Sequence, residues 1–137
     1  MERVKLYLSI AIGFFSTLFG GFDIGFVTLL LLMLIDYISG VILAGVFKRS
    51  PKTQNGGLNS NVGFIGITKK VIILLIVVIA VMLDKFLETS FIRNCVIAFY
   101  CMNELLSIIE NAGEMGIPIP NVITKAVDIL NNRSDKE

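Results

Sequence analysis

The sequence contains no histidine and only two cysteines. Without histidine, it lacks the commonest general base and metal ligand near neutral pH. Cys95 and Cys101 are six residues apart in an apolar helical pattern, and this spacing separates them by about 120° around a helix. We therefore expect two reduced, structural thiols that form neither a local disulfide nor a metal site.

Motifs that carry catalysis are missing as well. The sequence has no Gly-x-Ser-x-Gly motif and no paired-cysteine motif, which are typical of nucleophilic and redox enzymes. Glu104 and Glu110 could resemble a carboxylate pair, but their spacing places them about 9 Å apart along a helix axis and about 120° apart around it. The sequence therefore predicts no enzyme, no catalytic residue, no cofactor and no metal.

Charged residues are scarce. They make up 17% of the 137 residues, and the net charge is +1. No basic patch for a nucleic acid is present, so we expect no nucleic-acid partner. Hydrophobic residues account for 55% of the chain, and its mean hydropathy is +0.81. These values exceed what the core of a soluble domain of this size needs, so we expect a single membrane domain over residues 1–137.

Hydrophobic segments and helical periodicity predict an all-α integral membrane protein with three to four transmembrane helices. The helices are expected over about residues 6–22, 24–47, 67–87 and 91–113, with a short C-terminal helix and tail over 121–137. The first segment follows Arg3 and Lys5, as in a signal peptide, but no small-x-small cleavage site follows, so we expect it to be retained. The first three segments are the stronger candidates for spans.

The second segment carries Asp36 near its centre. Its fifteen Leu, Ile, Val and Phe residues favour insertion by roughly 5 to 9 kcal/mol, against a cost of about 3 kcal/mol for the carboxylate. Asp36 either hydrogen-bonds a neighbouring helix or serves as an assembly or pore-lining group whose cost is relieved when helices associate. Gly40 and Ala44 form a small-xxx-small pair beside it that allows close helix approach.

Basic residues dominate the predicted loop 48–70, which contains no acidic residue. Its basic residues are Lys48, Arg49, Lys52, Lys69 and Lys70. The positive-inside rule places this loop and the N-terminus in the cytoplasm, and the turn containing Asp23 outside.

The fourth segment is amphipathic. At 100° per residue, one face carries Arg93, Glu104, Ser107 and Asn111, and its edges carry Asn103, Glu110 and Glu114. The free energy that two central charges cost on insertion into the membrane is about as large as the free energy that the apolar residues gain. This helix should therefore not span alone. It either lies at the interface or inserts with partners that hide the polar stripe or line a wet cavity. The side of the C-terminus stays open.

Three blocks in order resemble the phage-lysis and toxin-secretion holins of Gram-positive bacteria and their phages. The blocks are "LIDYISGVILA", "LNSNVGFIGITKKVIILLIVVIAVMLDK" and "IRNCVIAFYCMNELLSIIENAGEMGIPIP", and the resemblance runs from about Leu31 to Pro120. It implies a small protein of the bacterial cytoplasmic membrane that associates with itself and opens lesions. Through these lesions an endolysin or a large toxin leaves the cell, without necessarily binding the holin.

Three other functions are compatible with the sequence: a small ion or solute channel or transporter subunit, a membrane scaffold, and an antiholin that regulates a holin. An antiholin partner is also compatible with a holin. For the holin function, we hypothesise that Asp36 and the polar stripe of the fourth segment make a single copy metastable and couple association to opening. Asp36→Asn or Glu104→Gln should then shift the time of lysis.

Overall fold

The computed structural model describes residues 1–134, and all regular structure in that range is helical. The helices are α1 (Glu2–Phe19), α2 (Ile24–Ile42), α3 (Ser60–Phe86), α4 (Ile92–Glu114) and α5 (Asn121–Ser134). A π-helical turn, Leu43–Phe47, extends α2. The predicted all-α fold with a short C-terminal helix is confirmed. The end of the predicted tail, residues 135–137, lies outside the described residues.

Helices α2 and α4 run parallel to each other, and α3 runs antiparallel to both. Asp23, just before α2, pairs with Arg93 at the start of α4. Farther along the same two helices, Ser39 contacts Asn111. These helices share the most extensive helix interface of the described chain. The loop after α2 and the end of α4 therefore lie at one end of the bundle, and the α1–α2 and α3–α4 links lie at the other.

The apolar core joins these three helices between the two sets of polar contacts. Phe26, Leu29 and Met33 follow one another at spacings of three and four residues, which places them on one face of α2. This face packs against Val77 of α3 and Ile97 of α4, and all five side chains are buried. The core thus fixes the register in which the polar side chains of the three helices meet.

Three helical segments are long and apolar enough to cross a membrane: Ile24–Phe47, Ser60–Phe86 and Ile92–Glu114. The amphipathic fourth segment is one of them, and α1 is not. α1 is 18 residues long and includes the charged Glu2, Arg3 and Lys5. The first segment, which the sequence indicates as a stronger candidate than the fourth, therefore falls outside this set because of the three charges at its start.

The predicted loop 48–70 is too long, because α3 begins at Ser60. The side-chain oxygen of Asn59 accepts hydrogen bonds from two backbone N–H groups in the first turn of α3, as a helix N-cap does. Hydropathy placed the helix start near residue 67, since the first turns of α3 are polar and rich in glycine. The loop spans residues 48–59. The basic residues that move from the predicted loop into α3 are Lys69 and Lys70.

Helix α1 covers residues 2–19 rather than the predicted 6–22. It ends early because Gly20 adopts a left-handed conformation with φ of 75°, which glycine tolerates better than other residues. A Cβ atom at Gly20 would lie 2.8 Å from Arg93 Nε. The turn therefore needs glycine both for its conformation and for the approach of the arginine.

Gly20→Ala is expected to lower the free energy of unfolding by about 1–3 kcal/mol, because it strains the turn and displaces the arginine. Thermal unfolding in detergent micelles would measure the loss. Gly13→Ala is the matched control, since a Cβ there would meet no atom within 4 Å beyond its chain neighbours and the backbone of its own helix, and alanine favours a helix interior. Equal unfolding midpoints for the two variants would contradict the account of the turn.

Candidate functional site

An ammonium group shared by two carboxylates lies at the centre of the three-helix packing. Lys70 Nζ of α3 lies 2.7 Å from Asp36 Oδ2 of α2 and 2.5 Å from Glu104 Oε2 of α4. The side chains of Lys70, Asp36 and Glu104 are 17%, 12% and 8% exposed. We call these residues the acid–lysine triad. Since each member comes from a different helix, the triad holds α2, α3 and α4 together.

Asn111 continues the polar contacts about two turns beyond Glu104 on α4. Its amide nitrogen donates to Ser39 Oγ at 2.8 Å and lies 3.4 Å from Asp36 Oδ1. Ser39 in turn donates to the backbone carbonyl of Asp36. A Cβ at Gly40 would lie 3.8 Å from the Asn111 amide nitrogen, an ordinary van der Waals distance, so Gly40 adjoins these contacts without being required by them. The polar face of α4 is therefore matched by hydrogen-bonding groups on α2.

A second buried polar cluster fixes the α1–α2 turn. The Arg93 guanidinium donates to the carbonyls of Phe19 and Gly21 at 2.6 and 2.9 Å, and to both carboxylate oxygens of Asp23 at 2.7 and 3.1 Å. The central carbon of the guanidinium, Arg93 Cζ, also lies 6.0 Å from the ring centre of Phe26, within cation–π range. We call these contacts the arginine clamp. A planar guanidinium suits them because it offers several donors in a fixed geometry.

Asp84, near the end of α3, completes this end of the bundle. Its carboxylate accepts hydrogen bonds from the backbone N–H groups of Ile92 and Arg93 and from the hydroxyl of Thr89. These two N–H groups are among the unsatisfied donors at the start of α4, so Asp84 caps the helix that carries the clamp. Together, the Asp84 cap and the arginine clamp hold the start of α4 against the α1–α2 link and the α3–α4 link.

The hydrogen bonds from Arg93 and then from the Phe26 N–H hold the pKa of Asp23 below its ordinary value. A carboxylate with a lowered folded-state pKa contributes stability above its ordinary pKa and loses it as the pH falls through the folded value. We expect wild type to be more stable than Asp23→Asn at neutral pH, with a modest difference because the Asp23 side chain is 50% exposed. The difference should vanish in acid.

Unfolding midpoints of the two proteins across an acid pH series would test this linkage. Comparing the difference, rather than either curve, removes the contribution of the carboxylates that both proteins share. A difference that stays constant down to strongly acidic pH would mean that the clamp does not depend on the Asp23 charge.

The two polar clusters lie at different levels of the bundle. Eleven residues separate Arg93 from Glu104 in α4, and this distance corresponds to about 16 Å of helix rise. Thirteen residues separate Asp23 from Asp36, or about 20 Å. If the clamp lies near one surface of a bilayer, the triad lies within the hydrocarbon region toward the other surface.

The structure separates the predicted polar stripe of α4 into an inner and an outer part. Arg93, Glu104 and Asn111 are buried, and Ser107 is half-buried. The three residues expected at the edge are exposed: Asn103, Glu110 and Glu114. In α2, Asp36 and Gly40 adjoin the buried contacts, and Ala44 is buried farther along the helix. The two parts of the stripe therefore have different surroundings.

Sequence reasoning missed the partners of the buried charges. The sequence places Lys70 in a topology-setting loop and Asp23 in an external turn, and it identifies no partner for Asp36. Asp36 and Glu104 lie near the centres of their segments, and two central carboxylates need a cation at the same depth; this requirement was the available signal for Lys70. The other four basic residues of the predicted loop 48–70 are exposed: Lys48, Arg49, Lys52 and Lys69.

Comparison with known proteins gives one family. A sequence model of the bacteriophage holin family matches residues 13–132. An uncharacterized protein of Clostridium perfringens is 38% identical over 98% of both chains, and one of Halalkalibacterium halodurans is 42% identical over 88% of both chains. A probable holin of Bacillus phage phi105 is 32% identical, covering 80% of this chain and 76% of the phage protein. No solved structure matches the chain.

Proposed function

The chain belongs to the bacteriophage holin family, and on this premise we propose that its copies assemble in the bacterial cytoplasmic membrane and open lesions. The lesions release an endolysin or a large toxin, which leads to lysis or secretion. The cargo passes through the lesion without necessarily binding to it. The partners that the proposal requires are other copies of the chain and membrane lipid; an antiholin is an additional partner that it permits.

The observation that carries this proposal is the burial of charged side chains inside a bundle whose outer surface is apolar. On α2 and α3, exposed leucine and isoleucine side chains flank the buried contacts; they include Leu31, Leu34, Ile38, Ile72 and Leu75. Such a surface suits hydrocarbon, whereas the triad suits water or a partner. A single copy thus contains the polar groups that a lesion wall needs, turned away from lipid.

Opening the bundle exchanges one set of favourable interactions for another. A buried salt bridge gains Coulomb energy but loses the hydration of both ions, so its net contribution is often small. If α2, α3 and α4 separate next to other copies, water regained by the triad offsets much of the lost ion pairing. The closed single copy and the open assembly are then close in free energy, as expected of a protein that accumulates before it acts.

The proposed orientation follows from the exposed basic loop. Loop 48–59 contains Lys48, Arg49 and Lys52 and no acidic residue, so we place it in the cytoplasm. Because α4 runs parallel to α2, the end of α4 lies on the same side, and the C-terminus is cytoplasmic. A cytoplasmic N-terminus requires that α1 also crosses the membrane, with its charged first turn at the cytoplasmic surface.

Release from liposomes would test the proposed function. Purified protein is added to liposomes that hold a small dye and a fluorescent folded protein of endolysin size. Release of both cargoes above a threshold protein concentration supports a lesion that passes proteins. Release of the dye alone indicates a small channel, and retention of both by liposomes that contain the inserted protein indicates an antiholin or a scaffold; either result contradicts the proposal.

A further inference from the structure

The acid–lysine triad contains one negative charge more than it can neutralise. Lys70 supplies one positive charge, whereas Asp36 and Glu104 supply two negative charges. Burying an unneutralised charge in a membrane protein is costly. Lys52 and Lys69 are near, but both are exposed, so water and salt screen their charge. The triad therefore needs a further positive charge close to its carboxylates.

A cavity of about 230 Å³ adjoins the triad. It lies between α2, α3 and loop 48–59, and its wall includes all three triad side chains together with Asn111 and Tyr37. A water molecule occupies about 30 Å³ in the liquid, so the cavity has room for a small ion with several water molecules. The loop side of the cavity is held in a fixed shape by a hydrogen bond from the Ser50 N–H to the Gly56 carbonyl at 3.0 Å.

Two residues of the cavity wall, Thr53 and Glu104, each have a side-chain oxygen without a hydrogen-bond partner among the described residues. Thr53 Oγ1 is buried and makes no hydrogen bond, although buried hydroxyl groups nearly always make one. The whole Glu104 residue is 6% exposed. Its Oε2 atom accepts the hydrogen bond from Lys70, and its Oε1 atom accepts none from the described residues. A bound cation, or the water molecules around it, would provide partners for the Thr53 hydroxyl and for the free carboxylate oxygen of Glu104.

We propose that this cavity binds one small monovalent cation, held by the carboxylates of Asp36 and Glu104 and by the hydroxyl of Thr53. A proton and an alkali-metal ion both supply the missing charge. With an alkali-metal ion Lys70 keeps both ion pairs, whereas with a proton one of them becomes a hydrogen bond to a neutral carboxyl group. The charged or titratable groups that face the cavity are Asp36 and Tyr37 from α2, Lys69 and Lys70 from α3, Glu104 from α4 and Lys52 from the loop. The site does not depend on lesion formation.

Thermal unfolding of the full chain in micelles would test the site. One series lowers the pH at constant salt, and the other replaces the bulky N-methylglucamine cation with Na⁺ or K⁺ at constant ionic strength. We expect the wild-type midpoint to rise relative to that of Glu104→Gln by roughly 3 °C or more in one of the series, because the variant has no surplus charge. A rise with acid identifies the proton, and a rise with Na⁺ or K⁺ identifies the metal ion.

Two further variants make the result specific. Glu110→Gln removes an exposed carboxylate from the same helix and should keep the wild-type response. Asp36→Asn should lose the response, as Glu104→Gln does. The proposal is wrong if wild type and Glu104→Gln respond equally in both series, or if Glu110→Gln abolishes the response.

Discussion

Lys70→Met is expected to lower the free energy of unfolding by about 3–5 kcal/mol, the usual cost of removing one partner from a buried ion pair. The substitution keeps a long apolar stem but leaves the carboxylates of Asp36 and Glu104 facing each other without the ammonium group. Repulsion should then separate α2 from α4, which share the most extensive interface of the described chain. Thermal unfolding in micelles would measure the loss.

Two comparisons isolate the cause. Lys69→Met removes the neighbouring lysine, which is exposed, and should change stability little. Combining Lys70→Met with Asp36→Asn and Glu104→Gln removes every charge of the triad and should recover most of the lost stability, since no carboxylate is left unpaired. Lys70→Met as stable as Lys69→Met, or no recovery in the triple variant, would contradict the account of the triad.

Arg93→Met should have the second largest effect, a loss of roughly 2–4 kcal/mol, because several charge-assisted hydrogen bonds disappear together. The carbonyls of Phe19 and Gly21 lose their donor, and Asp23 loses its partner. Since these groups belong to the α1–α2 turn, the loss should be local. We expect amide hydrogen exchange in residues 20–23 to accelerate roughly tenfold or more.

Arg93→Lys should recover only part of this protection, because an ammonium group cannot bond two carbonyls and both carboxylate oxygens at once. Lys85→Met is the matched control: it removes an exposed cation in the last turn of α3. Unchanged exchange in Arg93→Met, or equal acceleration in Lys85→Met, would show that the clamp does not hold the turn.

The helices could be predicted from local signals, whereas the pairing between them could not. Hydropathy and periodicity identify α2, α3 and α4, and they place Arg93, Glu104 and Asn111 on one face of α4. The partners of these residues lie on other helices, 34 to 75 positions away along the chain. Which residues meet depends on the relative direction and register of the helices, and the core packing of Phe26 and its neighbours sets both.

Lys70 illustrates this limit. A lysine at the edge of an apolar segment normally marks the cytoplasmic end of a span, and the residues around Lys70 in the sequence indicate no other role. Because α3 begins at Ser60, Lys70 is the eleventh residue of the helix rather than a residue of the preceding loop. At this position its side chain lies at the same depth as Asp36 and Glu104. The burial of these two carboxylates in a membrane is costly without a cation.

Lysis in living cells tests the central claim most directly. The protein is expressed inducibly in a bacterium, with and without an endolysin that lacks a secretion signal, while membrane potential and turbidity are recorded together. We predict sudden depolarisation in both cultures and lysis only where the endolysin is present, with an earlier onset for Lys70→Met than for Lys69→Met at equal protein levels. Depolarisation without lysis in the endolysin culture would contradict the account, because the opening would then be too small to pass a folded enzyme.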